Sequence, residues 1–353
     1  MAKPKHRYPW KWKLADLEPP AEDAPTVFST FACGGGSSMG YKRAGFRVVG
    51  NCEIDPKIAE VYSENLHPQH SYVMDLRDFN KLEDLPEELY QLDVLDGSPP
   101  CSTFSMAGSR EAAWDVEKQF AEGQAKQRLD DLFFVFLDTV EKLKPKAFVA
   151  ENVTGLIAGN AKGYVNEIIK RAREIGYEVQ LFKLNAAFMG VPQRRERVFF
   201  IGNRMGWPKL RLQFDEGQIF FGEVREGEGA EPATEKTVML ESYRKKGEVN
   251  QNQAAKRCPK NNAGNTYNVP YFTTYVIEDD VVCPTVTATC NMFRKSDMRR
   301  FSQEDVRNCS TFPQDYDFDK KDPYFITGMS VPPSMMANIA HEIKEQWLDV
   351  REG

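Results

Sequence analysis

Cys101 stands directly after two prolines, in the segment GSPPCSTFSMAG (97–108), and it has the clearest potential for chemistry. A cysteine thiolate is a nucleophile, although most intracellular cysteines are small buried residues without reactivity. Pro100 fixes its own backbone angle and would stiffen the turn that presents the thiol. The segment follows the run LDVLD, which is typical of a strand that ends in a loop. The sequence therefore predicts a thiol on a loop at the end of a strand.

An acid and two arginines are also expected at the ends of strands. Glu151 lies in AENV, and Arg195 and Arg197 lie in GVPQRRERVFF. Both motifs border apolar runs that are typical of buried strands. In a doubly wound sheet, functional residues collect beyond the carboxyl ends of the strands. A thiol, a carboxylic acid and paired arginines at one edge would be unfavourable as core residues, so they indicate a catalytic site.

Metal chemistry fits this sequence less well than nucleophilic catalysis. Seven cysteines occur without any Cys-x-x-Cys pair, and only four histidines are present. Zinc deaminases also combine Pro-Cys with a glutamate, but they need a second cysteine three residues later and a histidine ligand. That position is Phe104 here, so this interpretation fails. We expect reduced thiols, no disulfide framework and no metal site.

A glycine-rich loop and two acids indicate a cofactor that contains a nucleoside. The loop CGGGSSMG (33–40) matches neither G-x-G-x-x-G nor a P-loop, so it requires no phosphate group. Glu53 ends the second expected strand, a common place for a carboxylate that binds ribose hydroxyls. Asp75 ends the third expected strand and could accept a hydrogen bond from an adenine amino group.

Strands alternate with helices over roughly the first 200 residues, which is typical of a doubly wound, mostly parallel α/β sheet. The alternation is lost over 206–283, where Gly, Asn, Gln and charged residues are frequent. A final amphipathic helix over 332–349 is expected to return to the first domain. We predict a catalytic domain of residues 1–205 plus 322–353 and a smaller domain of residues 206–321.

Composition and charge restrict the partners of the chain. Its 353 residues are 41% hydrophobic and 28% charged, with a formal net charge of −6. These values are ordinary for a soluble globular protein. No apolar run has membrane-spanning length, and the amino terminus lacks the apolar centre of a signal peptide. We expect a cytoplasmic protein with no membrane partner, and we expect a monomer.

Two segments concentrate positive charge. Residues 242–262 carry six Lys or Arg against one Glu, which suits a face that binds nucleic acid or a solvated surface. The amino-terminal KHRYPWKWK (5–13) interleaves basic and aromatic residues. That pattern suits either an arm that binds nucleic acid or a flexible tail whose tryptophans pack on the protein.

Taken together, these motifs resemble those of the cytosine-C5 DNA methyltransferases of prokaryotic and phage type. The resemblance covers nearly the whole chain except about residues 205–280. The combination of Pro-Pro-Cys, Glu-Asn-Val and Gln-x-Arg-x-Arg at these separations is highly specific. The matching blocks, in the family's order, are FACGGGSSMGYKRAGF, EIDPKIAEVYSENL, GSPPCSTFSMAG, ENVTGL, GVPQRRERVFFIG, CPTVTAT, RRFSQEDVRNCSTFPQDY and TGMSVPPSMMANIAHEI.

The resemblance implies a covalent mechanism on cytosine. The thiolate of Cys101 would add to carbon 6 of the ring, which makes carbon 5 nucleophilic enough to take a methyl group. Glu151 would protonate or hydrogen-bond ring nitrogen 3 and the amino group. Arg197 would contact the carbonyl oxygen of the base, and Arg195 would support the site or bind a phosphate. Asn152 would brace the cysteine loop.

The resemblance also implies S-adenosylmethionine as the methyl donor, with S-adenosylhomocysteine as its product. Phe31 would stack on adenine, and Ile54 would lie against the same ring. Glu53 would bind the ribose, and Asp75 would bind the adenine amino group. The implied cofactor-binding residues are Phe31, Gly35, Gly36, Glu53, Ile54, Asp75, Pro99 and Ser330.

Double-stranded DNA is the implied substrate. A cytosine inside a duplex is inaccessible, so it would be flipped out, and residues 102–128 resemble a loop that closes over it. The smaller domain would be a target-recognition domain that reads bases with residues of 206–283. Methylation would serve restriction–modification or the protection of host or phage DNA, with a cognate restriction endonuclease acting separately. The candidate base-reading residues are Arg244, Lys256, Arg257 and Asn261.

Several positions depart from the family pattern. Cys33 replaces a glycine of the glycine-rich loop, and Ser29 with Thr30 replace an acidic residue before the phenylalanine. Ser102 replaces the usual glutamine, and Met329 replaces the usual asparagine of the last block. The changes at positions 33 and 329 affect expected cofactor contacts, whereas the thiol and the acid are kept.

Two alternatives stay open at this point. An RNA cytosine methyltransferase would share these blocks, but that branch usually carries Cys-Phe-Thr where this chain has YFTTY (271–275). A catalytically silent DNA-binding homologue would fit the departures from the pattern. Retention of both the thiol and the acid favours an enzyme.

Overall fold

The computed structural model describes residues 6–100, 132–157, 162–234, 274–289, 291–319 and 321–349. The predicted nucleophile Cys101, the expected closing loop 102–128 and the candidate base-reading residues lie outside these ranges.

Seven strands form one central sheet. They are β1 (Thr26–Thr30), β2 (Arg47–Glu53), β3 (His70–Val73), β4 (Val94–Gly97), β5 (Ala147–Val153), β6 (Glu178–Asn185) and β7 (Glu196–Asn203). Their order across the sheet is β3-β2-β1-β4-β5-β7-β6. The five neighbouring strands β3, β2, β1, β4 and β5 pair in parallel. Strand β7 is antiparallel to both β5 and β6. The predicted doubly wound, mostly parallel α/β fold is confirmed, with one reversed strand.

Helices cover both faces of this sheet. Helices α1 and α9 pack on one face, and α4 and α5 pack on the other. In the part of the chain that the structure describes, no helix is long and apolar enough to cross a membrane. The helices are α1 (Gly36–Arg43), α2 (Pro56–Leu66), α3 (Leu76–Phe79), α4 (Leu132–Leu143), α5 (Lys162–Glu174), α6 (Phe221–Val224), α7 (Gln303–Cys309), α8 (Pro323–Met329) and α9 (Pro333–Ile343).

Alternation along the buried strands divides the core into two parts. Val27 of β1 packs on the side of α1 and α9, whereas Phe28 packs on the side of α4. Adjacent residues of a strand point to opposite faces, so both faces of β1 must be apolar to be buried. The same arrangement holds for Phe148 and Val149 of β5. The strands near the site are therefore held firmly from both sides.

Local sequence signals explain where α2 begins and ends. The Asp55 carboxylate accepts a hydrogen bond from the Lys57 amide at 2.9 Å, and Pro56 occupies the first helical position. Both features favour a helix start, because they satisfy or remove amides that have no partner within the helix. His67 adopts a left-handed conformation with φ 46° and ends the helix. This start places Glu53 immediately before the helix.

A smaller lobe lies beside the sheet. Its strands β8 (Thr274–Ile277) and β9 (Asn291–Arg294) pair in parallel. Phe221 stacks on Phe301 with ring centroids 4.5 Å apart, at the centre of its apolar core. The fully buried Arg294 forms two 2.7 Å hydrogen bonds to the carboxylate of Asp305. Such a two-point ion pair holds β9 to α7.

The described residues next to the predicted domain limits contact the large lobe. Phe312 and Tyr316 share a core cluster with Tyr62 and Leu66 of α2. Leu210 packs in the core under α1 and α9. The division into 1–205 plus 322–353 and 206–321 stays a prediction.

The amino-terminal segment packs on both lobes. Trp12 is only 9% exposed, and its indole Nε1 donates to the Thr311 carbonyl at 2.8 Å. The Arg43 guanidinium lies 4.4 Å from the centre of the Trp12 ring. Lys11 pairs with Glu226 of the smaller lobe at 2.6 Å. Of the two alternatives for this segment, the packing of a tryptophan on the protein is confirmed for Trp12.

We predict that Trp12→Ala lowers the free energy of unfolding by about 3–4 kcal/mol, because it removes a large buried ring and its hydrogen bond. Trp12→Phe should lower it by only about 1 kcal/mol, the usual value of one hydrogen bond. Urea unfolding followed by circular dichroism measures both. Lys11→Ala is the control, since exposed ion pairs contribute little. An unchanged midpoint for Trp12→Ala would contradict the prediction.

Candidate functional site

The carboxyl end of β5 carries the predicted acid. Ala147 to Ala150 are apolar and completely buried, and the next two residues are Glu151 and Asn152. The polar residues begin where the strand reaches the edge of the sheet. Both side chains remain largely buried there. Buried polar groups need partners, and each of these side chains has one.

Glu151 forms an ion pair with Arg197. The guanidinium Nε lies 2.8 Å from the Glu151 Oε1. Antiparallel pairing sets Arg197 opposite Val153, so Glu151 and Arg197 are diagonal neighbours on one face. The pair leaves an acid and a cation side by side. Together they can contact a ring that presents both acceptor and donor groups.

Asn152 points to the other face and holds the end of the β4 loop. Its Nδ2 donates to the Pro99 carbonyl at 3.0 Å. Its Oδ1 accepts from the Val153 amide at 2.9 Å, which fixes the orientation of the side-chain amide. Pro99 is two residues before the predicted nucleophile. Asn152 thus contacts the described residues that lead to position 101, and its role as a brace of the cysteine loop stays a prediction.

Arg195 is a buried residue that binds two backbone carbonyls of other segments. Its Nη1 donates to the Val286 carbonyl at 3.1 Å, and its Nη2 donates to the Gly328 carbonyl at 3.0 Å. The residue is 3% exposed, and burial together with the neighbouring Arg197 cation lowers the pKa of Arg195 to about 9. Of the two predicted roles for Arg195, this burial favours support of the site over contact with a phosphate.

Gln193 has a similar supporting role that the sequence did not indicate. Its Nε2 donates to the Cys309 carbonyl at 3.1 Å, and its Oε1 accepts from the Val286 amide at 3.0 Å. Gln193, Arg195 and Arg197 are two residues apart, so they share one side of the chain. Arg194, which lies between Gln193 and Arg195, is exposed, so the opposite side of this segment faces solvent. The alternation of residues along this segment was the available signal that Gln193 is on the buried side.

The glycine-rich loop bends sharply at the carboxyl end of β1. Phe31, Cys33 and Gly35 all have positive φ, of 50°, 45° and 79°. Glycine adopts this region freely, whereas other residues are strained by roughly 1–2 kcal/mol. Position 33 therefore favours the glycine of the family pattern. Burial raises the pKa of the Cys33 thiol to about 12, so this cysteine stays protonated.

Glu53 fixes the same loop from β2. Its Oε2 accepts from the Cys33 amide at 2.8 Å, and its Oε1 accepts from the Ile54 and Asp55 amides at 2.9 and 3.1 Å. Burial raises the pKa of Glu53, although these hydrogen bonds act in the opposite direction. The predicted ribose ligand thus also orders the loop on which the cofactor would lie.

Close packing surrounds the start of α1. A Cβ on Gly36 would lie 2.1 Å from the Val331 carbonyl oxygen, so only glycine fits there. The Tyr316 hydroxyl donates to the Gly34 carbonyl at 2.8 Å. Ser330 is buried behind the loop, and Met329 beside it is 47% exposed.

Three predicted cofactor residues line one cavity. Phe31, Ile54 and Asp75 meet there, at the ends of β1, β2 and β3. Asp75 caps α3 by accepting from the Arg77 amide at 2.8 Å. An aromatic ring, aliphatic side chains and one acceptor match the faces and the amino group of adenine. The remaining lining residues are Cys52, Met74, Leu76 and Leu132.

The fold and site define a class of protein, and comparison with known families agrees. The model of the C-5 cytosine-specific DNA methylase family matches residues 26–345, so the chain belongs to that family.

Several known proteins resemble the chain. The type II methyltransferase M.NgoPII of Neisseria gonorrhoeae is 33% identical over 204 residues, which are 58% of this chain and 55% of that protein. M.FnuDI of Fusobacterium nucleatum is 35% identical over 178 residues, or 50% and 46%. The chain thus spans about half the length of these relatives.

A solved structure shares the fold. It is described as a DNA modification methyltransferase encoded within a prophage of E. coli. The TM-score is 0.64 at 19% identity, with 92% of this chain and 99% of that chain covered. At this identity the likeness concerns the fold alone.

We predict that Arg195→Met lowers the free energy of unfolding by about 2–4 kcal/mol, because two buried carbonyls lose their donor. Arg194→Met is the matched control, since the neighbouring side chain is exposed and should matter little. Urea titration of both variants measures the difference. Equal midpoints for the two variants would exclude a supporting role for Arg195.

Proposed function

We propose that this protein is an S-adenosylmethionine-dependent DNA (cytosine-5-)-methyltransferase that acts through a covalent bond from Cys101 to the target base. The observation that carries the proposal is the arrangement at the ends of β4, β5 and β7. There, Asn152 holds the Pro99 carbonyl, and the neighbouring Glu151 is paired with Arg197. Membership of the cytosine-specific family supports the same reaction.

The residues of the cavity fit the proposed cofactor. Phe31 and Ile54 suit the faces of an adenine ring, and Asp75 suits its amino group. Glu53 keeps oxygen lone pairs for a ribose hydroxyl beside the amides that it already binds. When bound, S-adenosylmethionine supplies an electrophilic methyl group.

Each functional side chain then has one task. Cys101 adds its sulfur to carbon 6 of cytosine, and carbon 5 becomes nucleophilic. Glu151 holds a proton at ring nitrogen 3 and accepts from the amino group, while Arg197 donates to the carbonyl oxygen. Once carbon 5 carries the methyl group, a base such as solvent water takes the carbon 5 proton. The electron pair of that C–H bond re-forms the ring double bond, and the sulfur leaves as a thiolate, which gives 5-methylcytosine. Since an ordinary thiol is only a few per cent thiolate at neutral pH, the site must also activate the thiol, and the positive charge of the arginines would favour its thiolate form.

Duplex DNA is the proposed substrate, with the target cytosine flipped out of the stack. The names of the relatives as type II methyltransferases support this choice and a role in restriction–modification. We place the protein in the cytoplasm, where such DNA is found.

We predict that Cys101→Ser abolishes methyl transfer, by about 10³-fold or more, because the serine hydroxyl cannot form the adduct. The assay incubates the pure protein with labelled S-adenosylmethionine and duplex DNA, stem-loop RNA or no nucleic acid. Duplex DNA that contains 5-fluorocytosine should trap the unaltered protein as a stable adduct. Label in RNA alone would replace the DNA proposal by an RNA cytosine methyltransferase, and no label would favour a silent homologue.

We predict that Glu151→Gln lowers kcat for methyl transfer by about 10²–10⁴-fold, the usual contribution of a general acid. Glu196→Gln is the control, because Glu196 is exposed and pairs with Lys183 at the surface. Single-turnover rates with saturating DNA separate the chemical step from binding. Equal rates for both variants would remove Glu151 from the mechanism.

A further inference from the structure

We infer that Asp96 on β4 supplies the carboxylate that the family pattern places before the phenylalanine of β1, and that it positions the cofactor loop and the nucleophile segment. The inference rests on the proposed function. Its starting point is the replacement of that acidic residue by Ser29 and Thr30 in this chain.

Strand pairing puts Asp96 next to the altered position. Ser29 of β1 is in register with Asp96 of β4 on one side and with Asn51 of β2 on the other. The Ser29 hydroxyl donates to Asp96 Oδ2 at 2.8 Å, and both residues are almost completely buried. Residues in register on neighbouring strands point to the same face. The Asp96 carboxylate therefore lies one strand away from position 29, at the same level along the sheet.

Thr30 contacts the same residue. Its hydroxyl donates to the backbone carbonyl of Asp96 at 3.0 Å. Both residues that replace the missing acid thus bind Asp96, one at its side chain and one at its backbone. Only the Ser29 bond depends on the carboxylate, because the backbone carbonyl that Thr30 binds would be present with any residue at position 96.

Burial of the Asp96 carboxyl is unfavourable for the free energy of folding, because a buried carboxylate loses its hydration. Burial raises the pKa of Asp96 to about 7, with the hydroxyl of Ser29 acting against this rise. Tyr41 of α1 lies 3.5 Å away, and Glu151 of β5 raises the pKa further. An apolar side chain would fill this place without loss of hydration. The sheet core therefore keeps a buried carboxyl whose partners are the hydroxyls of Ser29 and Tyr41.

The position of Asp96 links the two halves of the site. Through Tyr41 it contacts α1, the helix that begins at the glycine-rich loop. Along its own chain it is followed by Gly97, where a Cβ would meet the Thr30 hydroxyl and the Phe136 ring at 2.6 Å. Two residues after Gly97 comes Pro99, whose carbonyl accepts from Asn152. The segment that leads into the nucleophile is thus held at both ends.

The test exchanges the carboxylate between strands. Asp96→Ser should weaken binding of S-adenosylmethionine by about 10-fold or more, because the loop loses its anchor. The double variant Ser29→Asp with Asp96→Ser returns the acid to β1 and should recover affinity to within about 3-fold of the unaltered protein. Calorimetric titration with S-adenosylmethionine measures affinity, and thermal unfolding measures stability.

Asp93→Ser is the matched control. Asp93 also joins β4 to β1, since its Oδ2 accepts from the Thr26 amide at 2.7 Å, but it lies at the opposite end of the strands. Its loss should lower the melting temperature and leave cofactor affinity unchanged. This separates a positioning role for Asp96 from general support of the β1–β4 pair.

Each outcome is decisive. A folded Asp96→Ser variant with unaltered affinity, or a double variant no better than Asp96→Ser, overturns the inference. If Asp96→Ser does not fold, folding and binding by the double variant support the exchange, and their absence overturns it. If the unaltered protein binds no S-adenosylmethionine, the proposed function falls. Recovery of the melting temperature by the double variant then still supports the exchange, and no recovery overturns it.

Discussion

A buried guanidinium holds this site together. Arg195 is only 3% exposed, and it donates to the carbonyls of Val286 and Gly328. Those carbonyls belong to chain segments far away in the sequence, and one of them runs on to cover the glycine-rich loop. Charge-assisted hydrogen bonds of this kind are strong and directional. Arg195 thus joins three parts of the chain, which are the segment that leads into β7, the segment around Val286 and the end of α8.

Much of the sheet and part of the site could be predicted from the sequence. Strands and helices of the first lobe followed from alternation, and the Glu151, Asn152 and Arg197 positions followed from local motifs. The partners of Arg195 and Gln193 could not be predicted, because they depend on contacts across about 90 residues or more. The sequence shows Asp96 as an acid within an apolar run, but its contact with Ser29 depends on the pairing of β1 with β4.

Sequence patterns that fit two interpretations also limited what could be predicted. The alternation of basic and aromatic residues at the amino terminus suited binding to nucleic acid and packing on the protein equally well. The structure shows Trp12 buried and Lys11 paired, so the same residues serve cohesion between lobes. In the cofactor loop, Cys33 looked like a departure that affects binding. Its left-handed backbone shows that the turn is kept even though the residue is strained.

Because β7 runs antiparallel to β6, the side of the sheet on which Arg197 lies depends on the register of this one strand pair. Strands β6 and β7 pair residue by residue from Glu178 with Asn203 to Asn185 with Glu196. A slip of one residue in the register of β6 and β7 would move every side chain of β7 to the opposite face. A slip in one direction would put Glu196 in the place where Arg197 now meets Glu151, and two like charges would face each other. The register of this strand pair is therefore as much a part of the site's chemistry as the side chains themselves.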